Sequence, residues 1–276
     1  MAGKLYVVGT PIGNLSDFSP RAVDTLANVD FIAAEDTRVT VKLLNHFGIK
    51  KPLISYYEHN KTNRGNDIID RLLAGEICAL VSDAGMPAIS DPGEDLVRMC
   101  HENNIAVESV PGPSALTTAL AIAGMKTGRF CFEGFLSVNK PSRKAHLEEL
   151  VKEKRTMVFY EAPHKLIPTL QDMQTYFGDR NIALVRELTK LHEEVIHTTF
   201  KEAIEMYSGE KSPKGEFVLI VSGYEEKEGD KTYSIEEAVK IAKDYIADGN
   251  SASSAAKMAA ADTGIRKNDI YRLLNT

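Results

Sequence analysis

Short apolar runs alternate with stretches of helical periodicity through the first half of the chain. The strand-like runs lie at 4–9, 31–34, 53–57, 77–81 and 106–110. Between them, apolar residues recur every three or four positions, as on the buried face of an amphipathic helix. Strands that alternate with helices usually form a mostly parallel sheet with helices on both faces. The pattern therefore predicts an α/β fold.

The run at 77–81 ends in the most informative loop of the chain. It stops at Ser82 and Asp83, and small or kinked residues follow as far as Gly93. In a parallel sheet, ligands bind in the crevice outside the carboxyl ends of the strands. Asp83, followed by two small residues, is therefore suited to hold a polar small molecule. The local sequence by itself favours a simpler alternative, an Asx turn between a strand and a helix.

The hydrophobic pattern changes near Gly124, which indicates the start of a second sheet. Further strand-like runs lie at 129–136, 156–160, 182–186, 193–199 and 217–221. We predict one α/β domain at 1–124 and a second at 125–223. The charged, glycine-containing segment 224–232 is predicted to be a linker.

The last part of the chain has a helical pattern of its own. Ser234 and Glu237 have the spacing of a capping box, and Asn268 is predicted to cap a final helix. Three short helices at 233–276, separated by glycines, have the spacing of a helix-turn-helix unit.

Composition narrows the class of protein. With 276 residues, 43% hydrophobic and 26% charged, the chain is typical of a globular protein with more than one domain. A strand that begins at Lys4 leaves no room for a signal peptide, and no apolar run has the length of a membrane span. Three cysteines without a Cys-x-x-Cys pair are typical of reduced core residues in a cytoplasmic protein. The net charge of −6 argues against extensive wrapping of nucleic acid, but it permits a local basic contact.

Five motifs, in this order along the chain, resemble the loops of the tetrapyrrole methylase superfamily. They are Gly9-Thr10-Pro11-Ile12-Gly13-Asn14-Leu15, Ala34-Glu35-Asp36-Thr37-Arg38, Ser82-Asp83-Ala84-Gly85-Met86-Pro87, Pro111-Gly112-Pro113-Ser114-Ala115 and Pro213-Lys214-Gly215-Glu216. The resemblance extends from Lys4 to about Gly223. Within the superfamily, the chain is similar to the branch that methylates the 2′-hydroxyl of a cytidine ribose in small-subunit (16S) ribosomal RNA, which also carries a small helical tail.

The resemblance implies two α/β domains with S-adenosylmethionine, in a folded conformation, in the cleft between them. The implied cofactor contacts are Pro11, Asp83, Ile89, Ser114, Ala115, Tyr160 and Gly215. Because the sulfonium methyl group is already electrophilic, the enzyme needs no metal and must mainly align the acceptor oxygen and exclude water. The implied partners are small-subunit ribosomal RNA, or the assembled small subunit, and a second copy of the chain in a homodimer.

A ribose hydroxyl is a weak nucleophile at neutral pH, so a nearby base or cation would help the reaction. Glu35, Asp36 and Arg38 follow a predicted strand and supply two candidate bases and one cation. The same residues are equally consistent with a helix N-terminus whose dipole the acidic side chains complement. Glu161 is a further candidate of the same kind, and the sequence leaves the base unassigned.

Two basic clusters are candidates for contact with RNA. The first contains Lys140, Arg143 and Lys144, and the second contains Arg266, Lys267 and Arg272. Basic charge at a helix N-terminus opposes the helix dipole, so the first cluster either binds phosphate or is a solvated helix start. The second cluster lies in the tail, which either contacts RNA or packs on the partner subunit of a dimer.

Two other functions stay open at the level of sequence. A methyltransferase acting on a tetrapyrrole or another small molecule would share the cofactor loops. Unlike an RNA methyltransferase, it would have a large apolar cleft without a basic rim. A non-catalytic nucleic-acid-binding protein would depend on the tail and would bind no S-adenosylmethionine.

Overall fold

The apolar runs of the first half form one parallel sheet in the computed structural model, which describes residues 3–209, 213–226 and 233–274. The strands are β1 (Lys4–Val8), β2 (Phe31–Ala34), β3 (Leu53–Ser55), β4 (Ile77–Val81) and β5 (Ala106–Val110). They lie in the order β3-β2-β4-β1-β5, and every pairing is parallel. The predicted parallel sheet is confirmed, and β4 lies at its centre.

Five helices connect and follow these strands. They are α1 (Pro20–Asn28), α2 (Thr37–His46), α3 (Lys61–Leu73), α4 (Gly93–Glu102) and α5 (Ala115–Ile122). Local sequence explains where α1 begins, because the Ser19 side chain accepts a hydrogen bond from the N–H of Ala22 and Pro20 fills the first helical position. Alternate strand residues point to opposite faces of the sheet, and each face carries its own buried apolar layer.

The second half forms a mixed sheet. Its strands are β6 (Phe130–Phe135), β7 (Thr156–Glu161), β8 (Asn181–Arg186), β9 (Glu194–Thr199) and β10 (Phe217–Val221). The order is β6-β7-β10-β8-β9, in which β6 and β7 are parallel and the other pairs are antiparallel. The accompanying helices are α6 (Lys140–Glu149), α7 (Leu166–Phe177) and α8 (Phe200–Ser208). The mostly parallel arrangement thus describes the first sheet alone.

Helix α5 joins the two sheets. It follows β5 in the chain, but its Ala119 and Leu120 pack with Val158 and Val218 of the second sheet. This packing explains why α5 is apolar on nearly all sides. Residues up to Tyr224 accordingly cluster as one compact unit, and the chain from Glu225 onward clusters as another.

The second unit is helical, as predicted. It contains α9 (Ile235–Ala247), α10 (Ala252–Thr263) and α11 (Lys267–Leu274) around a small core of alanines and Ile270. The capping box of Ser234 and Glu237 is present. The predicted cap at Asn268 is wrong, because α11 already begins at Lys267 and the N–H of Ile270 donates to the carbonyl of Arg266. Most of the predicted linker at 224–232 lies outside the described residues.

None of the described helices combines the length and the apolar character that crossing a lipid bilayer requires.

The loops after β1, β4 and β5 meet through backbone atoms at the carboxyl edge of the first sheet. Thr10 and Gly85 exchange two backbone hydrogen bonds of 2.9 and 3.1 Å. Gly9 and Gly112 lie so close that a Cβ added to Gly112 would stand 2.9 Å from the Cα of Gly9. Only glycine permits this approach, because the contacting atoms are backbone and cannot rotate away.

Gly112→Ala is expected to destabilise the protein by about 1–3 kcal/mol, the usual cost of forcing an extra carbon into a packed region. Chemical denaturation followed by circular dichroism measures the free energy of unfolding. Gly128→Ala is the matched control, since an added Cβ there meets no atom within 4 Å. Equal stability of the two variants would contradict the close approach.

Candidate active site

A cavity of about 600 Å³ opens at the carboxyl edge of the first sheet and is closed on its other side by the second sheet. The first half of the chain contributes Ile12, Glu35, Ser82, Asp83, Ala84, Gly85, Met86, Ile89, Ser90, Asp91, Ser114 and Ala115. The second half contributes Phe135, Tyr160, Glu161, Ala162, Pro163, His164, Val185, Leu188, Glu216, Phe217 and Val218. Its size lies in the range of small-molecule sites, and its lining combines apolar walls with a few carboxyl groups.

Two carboxyl groups of the cavity come from the ends of β2 and β4. The Asp83 carboxylate accepts a hydrogen bond of 3.0 Å from the backbone N–H of Asp36, which ties the two strand ends together. Burial raises the pKa of Glu35, and the nearby charge of Asp83 raises it further. Partial shielding from solvent also raises the pKa of Asp83. Asp83 therefore lines the cavity and also joins two strand ends, and its hydrogen-bond donor Asp36 is distant in the chain rather than part of a local Asx turn.

Asp36 and Arg38 have contacts of a different kind. The Asp36 side chain is the N-cap of α2 and accepts hydrogen bonds from the N–H and the guanidinium of Arg38. These bonds lower the pKa of Asp36 to about 2. The Arg38 side chain is 87% exposed, and neither residue lines the cavity. Their contacts are those of a helix N-terminus, so Glu35 is the member of the predicted group that faces the cavity.

Tyr160 connects the N-terminus of α5 to the second sheet. Its phenolic oxygen accepts a hydrogen bond of 2.9 Å from the N–H of Leu116. The preceding Ser114 makes no side-chain cap, so the phenol satisfies one of the free N–H groups at the start of α5. Burial raises the pKa of Tyr160, which keeps the phenol neutral. Ser114, Ala115 and Tyr160 thereby form one continuous wall.

The loop that carries Ile89 has a constrained backbone. Ala88 and Ser90 have φ angles of 65° and 64°, in the left-handed region that non-glycine residues seldom adopt. The Asp91 carboxylate holds this conformation by accepting hydrogen bonds from the N–H groups of Ala88 and Gly93, at 2.8 and 2.9 Å. Such strain is concentrated at functional sites.

Pro11 and Gly215 do not line the cavity, whereas their chain neighbours Ile12 and Glu216 do. Gly215 has a φ of 93°, and a Cβ there would stand 2.6 Å from the Cγ of Glu187. Glu187 in turn accepts a hydrogen bond from the N–H of Glu216. Gly215 therefore lets this loop close onto Glu187.

Glu161 lines the cavity but is only 4% exposed, and its carboxylate belongs to a polar network that continues away from the cavity. It accepts hydrogen bonds from the N–H of Ala162 and from the hydroxyl of Thr169. Arg143 donates to Thr169 and pairs with Asp172 at 2.6 Å, and its side chain is only 13% exposed. Arg143 thus has a structural role that the sequence did not indicate.

The other predicted basic residues lie at the surface. Lys140 is exposed, and the Lys144 side chain, 62% exposed, faces Glu148 at 3.6 Å. In the second unit, Lys267 donates to the hydroxyl of Ser253, and Arg272 lies 3.9 Å from Asp269. Across the described residues, no cluster of three or more His, Cys, Asp or Glu side chains has the arrangement of a metal site.

Comparison with known proteins identifies the family. Residues 4–204 match the Tetrapyrrole (Corrin/Porphyrin) Methylases. The chain belongs to this family. Solved structures share the fold of this tetrapyrrole methylase. Uroporphyrin-III-C-methyltransferase from Thermus thermophilus matches with a TM-score of 0.56 and 18% identity, over 80% of this chain and 94% of that chain. The methyltransferase CobJ matches with a TM-score of 0.60 and 19% identity, over 80% of this chain and 95% of that chain.

Several curated relatives of this tetrapyrrole methylase are named Ribosomal RNA small subunit methyltransferase I. The relative from Synechocystis is 47% identical over 98% of this chain and 97% of its own length. The relative from Bacillus subtilis is 45% identical over 98% and 93%. The relative from Thermotoga maritima is 49% identical over 223 residues, which are 81% of this chain and all of that protein.

The family and the α/β fold with a helical tail are confirmed as predicted from the sequence. The site residues remain predictions, although the structure brings five of the expected cofactor contacts together around one cavity, namely Asp83, Ile89, Ser114, Ala115 and Tyr160. Sequence reasoning missed Met86, Phe135 and Glu216 in the lining. Met86 and Glu216 belong to the motifs quoted from the sequence, whereas Phe135 lies outside all five.

Glu35→Gln is expected to stabilise this tetrapyrrole methylase at neutral pH. Because the folded pKa of Glu35 lies above its ordinary value of 4.5, the ionised carboxylate opposes folding, and this cost appears as pH rises through the shifted pKa. The free energy of unfolding of Glu35→Gln should therefore equal that of the parent below about pH 4 and exceed it towards pH 8.

Denaturant unfolding across this pH range measures this difference. Glu149→Gln, at an exposed position on α6, is the matched control for the substitution itself. A difference for Glu35→Gln that is the same at both ends of the range would contradict the effect of burial.

Proposed function

We propose that this protein is an S-adenosylmethionine-dependent methyltransferase that modifies the 2′-hydroxyl of a cytidine ribose in 16S ribosomal RNA. The observation that carries the proposal is the near full-length identity, 41–48%, to relatives named for the small-subunit RNA. The cavity supports it, because it combines an apolar wall with carboxyl groups where the family resemblance expects the methyl donor.

The residues around the cavity fit S-adenosylmethionine. A volume of about 600 Å³ accommodates a molecule of this size, and Ile89 and Ala115 supply apolar surface for the adenine. Asp83 supplies an acceptor for amino or hydroxyl groups, and the start of α5 supplies N–H donors. Pro11 and Gly215 act indirectly, by shaping the loops on either side.

When bound, S-adenosylmethionine supplies an electrophilic methyl group. The chain must then align the ribose oxygen, exclude water and remove the hydroxyl proton. Glu35 is the proposed base, because its carboxyl faces the cavity and its raised pKa makes it a stronger proton acceptor than an ordinary glutamate. Asp36 and Arg38 hold the start of α2, which fixes the backbone beside Glu35.

RNA contact is assigned to exposed basic side chains. Lys140 and Lys144 at the start of α6 remain candidates for phosphate contact, while Arg143 orients α6 through its contacts with α7. Arg266, Lys267 and Arg272 form the candidate contact of the tail. Such local contacts are compatible with an acidic chain, because phosphate binding depends on nearby cations.

The proposed organisation has three parts, an N-terminal domain at 1–124, a second domain at 125–223 and the tail at 233–276. The protein acts in the cytoplasm on free ribosomal RNA or on the assembled small subunit, and it does so as a homodimer. Buried, unpaired Cys78 and Cys100 support a reducing compartment.

A small-molecule methyltransferase is the second candidate. It is supported by the solved structures of enzymes such as uroporphyrin-III-C-methyltransferase, but identities below 20% carry the fold alone. Transfer of labelled methyl groups to purified small subunits, with mapping of the product, tests the main proposal. Labelling of a tetrapyrrole but not of subunits would favour the second candidate.

Asp83→Ala is expected to weaken S-adenosylmethionine binding by about 1–3 kcal/mol, the cost of leaving polar ligand groups without a partner. Isothermal titration calorimetry measures the affinity. Asp83→Asn keeps an oxygen for the N–H of Asp36, so it separates the charge from the backbone contact. Asp67→Ala, at an exposed site on α3, is the control. Unchanged affinity in Asp83→Ala would remove Asp83 from the binding site.

Deletion of residues 233–276 is expected to leave S-adenosylmethionine affinity within about twofold and to lower methylation of small subunits. The first unit contains every residue of the cavity, and the Thermotoga maritima relative matches this chain over a length close to that of the first unit. Loss of the basic side chains should also flatten the salt dependence of RNA binding.

The outcome of the deletion separates two roles of the tail. An intact dimer with weakened RNA binding supports direct contact, whereas a monomer in sedimentation supports a role in dimer packing. Full activity on subunits at every salt concentration would exclude both. Charge reversal at Arg266 and Lys267, compared with reversal at Lys240 and Lys243 on α9, tests direct contact in the full chain.

A further inference from the structure

The cavity has one aromatic ring that is largely open to solvent. Phe135 is 58% exposed, more than any other Phe or Tyr in the described part of the chain. By contrast, the cavity residues Leu188, Phe217 and Val218 are at most 7% exposed. Phe135 therefore lies at the open side of the cavity. Single exposed apolar side chains are common on protein surfaces, so it is the position of this ring in the lining of the cavity that makes it a candidate ligand contact.

A bulge in β6 directs Phe135 towards the cavity. Phe132 pairs with Val158, but the next pairs are Gly134 with Phe159 and Phe135 with Tyr160, so Glu133 is an extra residue. In a regular strand, Phe132 and Phe135 would point to opposite faces. The extra residue places both on the face that also carries Tyr160.

Gly134 makes this bulge possible. Its φ of 63° lies in the left-handed region, and an added Cβ would stand 3.1 Å from the hydroxyl oxygen of Ser90. Glycine thus permits both the turn of the strand and the close approach of the loop that carries Ile89. Bulges of this kind commonly redirect a side chain beside an active site.

The ring of Phe135 is supported from within the protein. Its centroid lies 5.5 Å from that of Tyr160 at an angle of 62°, and Phe132 contacts Tyr160 at 4.9 Å and 65°. Tyr160 is fixed by its hydrogen bond from Leu116. The three rings form an edge-to-face cluster, which holds Phe135 in place while leaving much of it exposed.

We infer that Phe135 is the stacking platform for the base of the nucleotide whose ribose is methylated, an assignment that rests on the proposed function. A ribose enters an enclosed cavity only when its nucleotide leaves the stack of its neighbours. The base then loses its stacking partners, and an aromatic side chain at the entrance replaces them. Stacking tolerates every base, so Phe135 contributes to binding and positioning rather than to the choice of cytidine.

Phe135→Ala is expected to lower kcat/KM for small subunits by roughly 5-fold to 150-fold, the range that loss of one base–aromatic contact gives. The effect should lie mainly in KM, and S-adenosylmethionine affinity should stay within about twofold. Phe135→Trp should retain activity, because it keeps an aromatic face. Phe135→Leu should resemble Phe135→Ala, because it keeps apolar bulk without the ring.

Phe130→Ala is the matched control. Phe130 lies on the same strand before the bulge, is 38% exposed and does not line the cavity. The assignment is overturned if Phe135→Ala equals this control, if Phe135→Leu is fully active, or if Phe135→Ala weakens cofactor binding as much as it weakens methylation. Dissociation of Phe135→Ala into monomers in sedimentation would likewise overturn it in favour of a subunit contact.

The unmodified protein separates this assignment from the proposed function. If it binds S-adenosylmethionine but methylates no small subunit, the proposed function fails and the assignment fails with it. If it methylates small subunits and only the Phe135 variants depart from expectation, the proposed function is retained and the assignment of Phe135 fails.

Discussion

The contact of three loops at the carboxyl edge of the first sheet is the constraint on which the site depends. The paired hydrogen bonds of Thr10 and Gly85 and the close approach of Gly9 and Gly112 involve backbone atoms. Backbone contacts of this kind allow little adjustment, because no side chain can rotate to relieve them. The positions of Asp83 and Ser114 relative to each other are therefore set by the fold.

A second connection closes the cavity from the other sheet. Helix α5 follows the first sheet but packs on the second, and Tyr160 caps its N-terminus. The same helix start thus belongs to both halves of the cavity. A ligand that binds there contacts groups whose separation is fixed by apolar packing and one hydrogen bond, which is the arrangement that alignment of two reactants requires.

The pKa values of the two acidic residues in the predicted catalytic group, Glu35 and Asp36, are shifted in opposite directions. Glu35 faces the cavity, where burial and the neighbouring Asp83 raise its pKa. Asp36, one residue further, is paired with Arg38, and its pKa is lowered to about 2. Two adjacent carboxyl groups therefore have opposite tendencies at one pH, since one is suited to accept a proton and the other to remain ionised as a helix cap.

Sequence alone determined the local features of this protein. Ser19 and Ser234 begin two helices, because each cap involves residues only three positions apart. The alternation of apolar runs with helical stretches predicted the first sheet, and the order of the loop motifs along the chain identified the family. Tertiary structure decided which of these residues face the cavity. The bulge at Gly134 reverses the side on which Phe135 lies, and Arg143 is held by Asp172 on another helix. Such outcomes depend on pairings between residues far apart in the chain, which a local pattern does not contain.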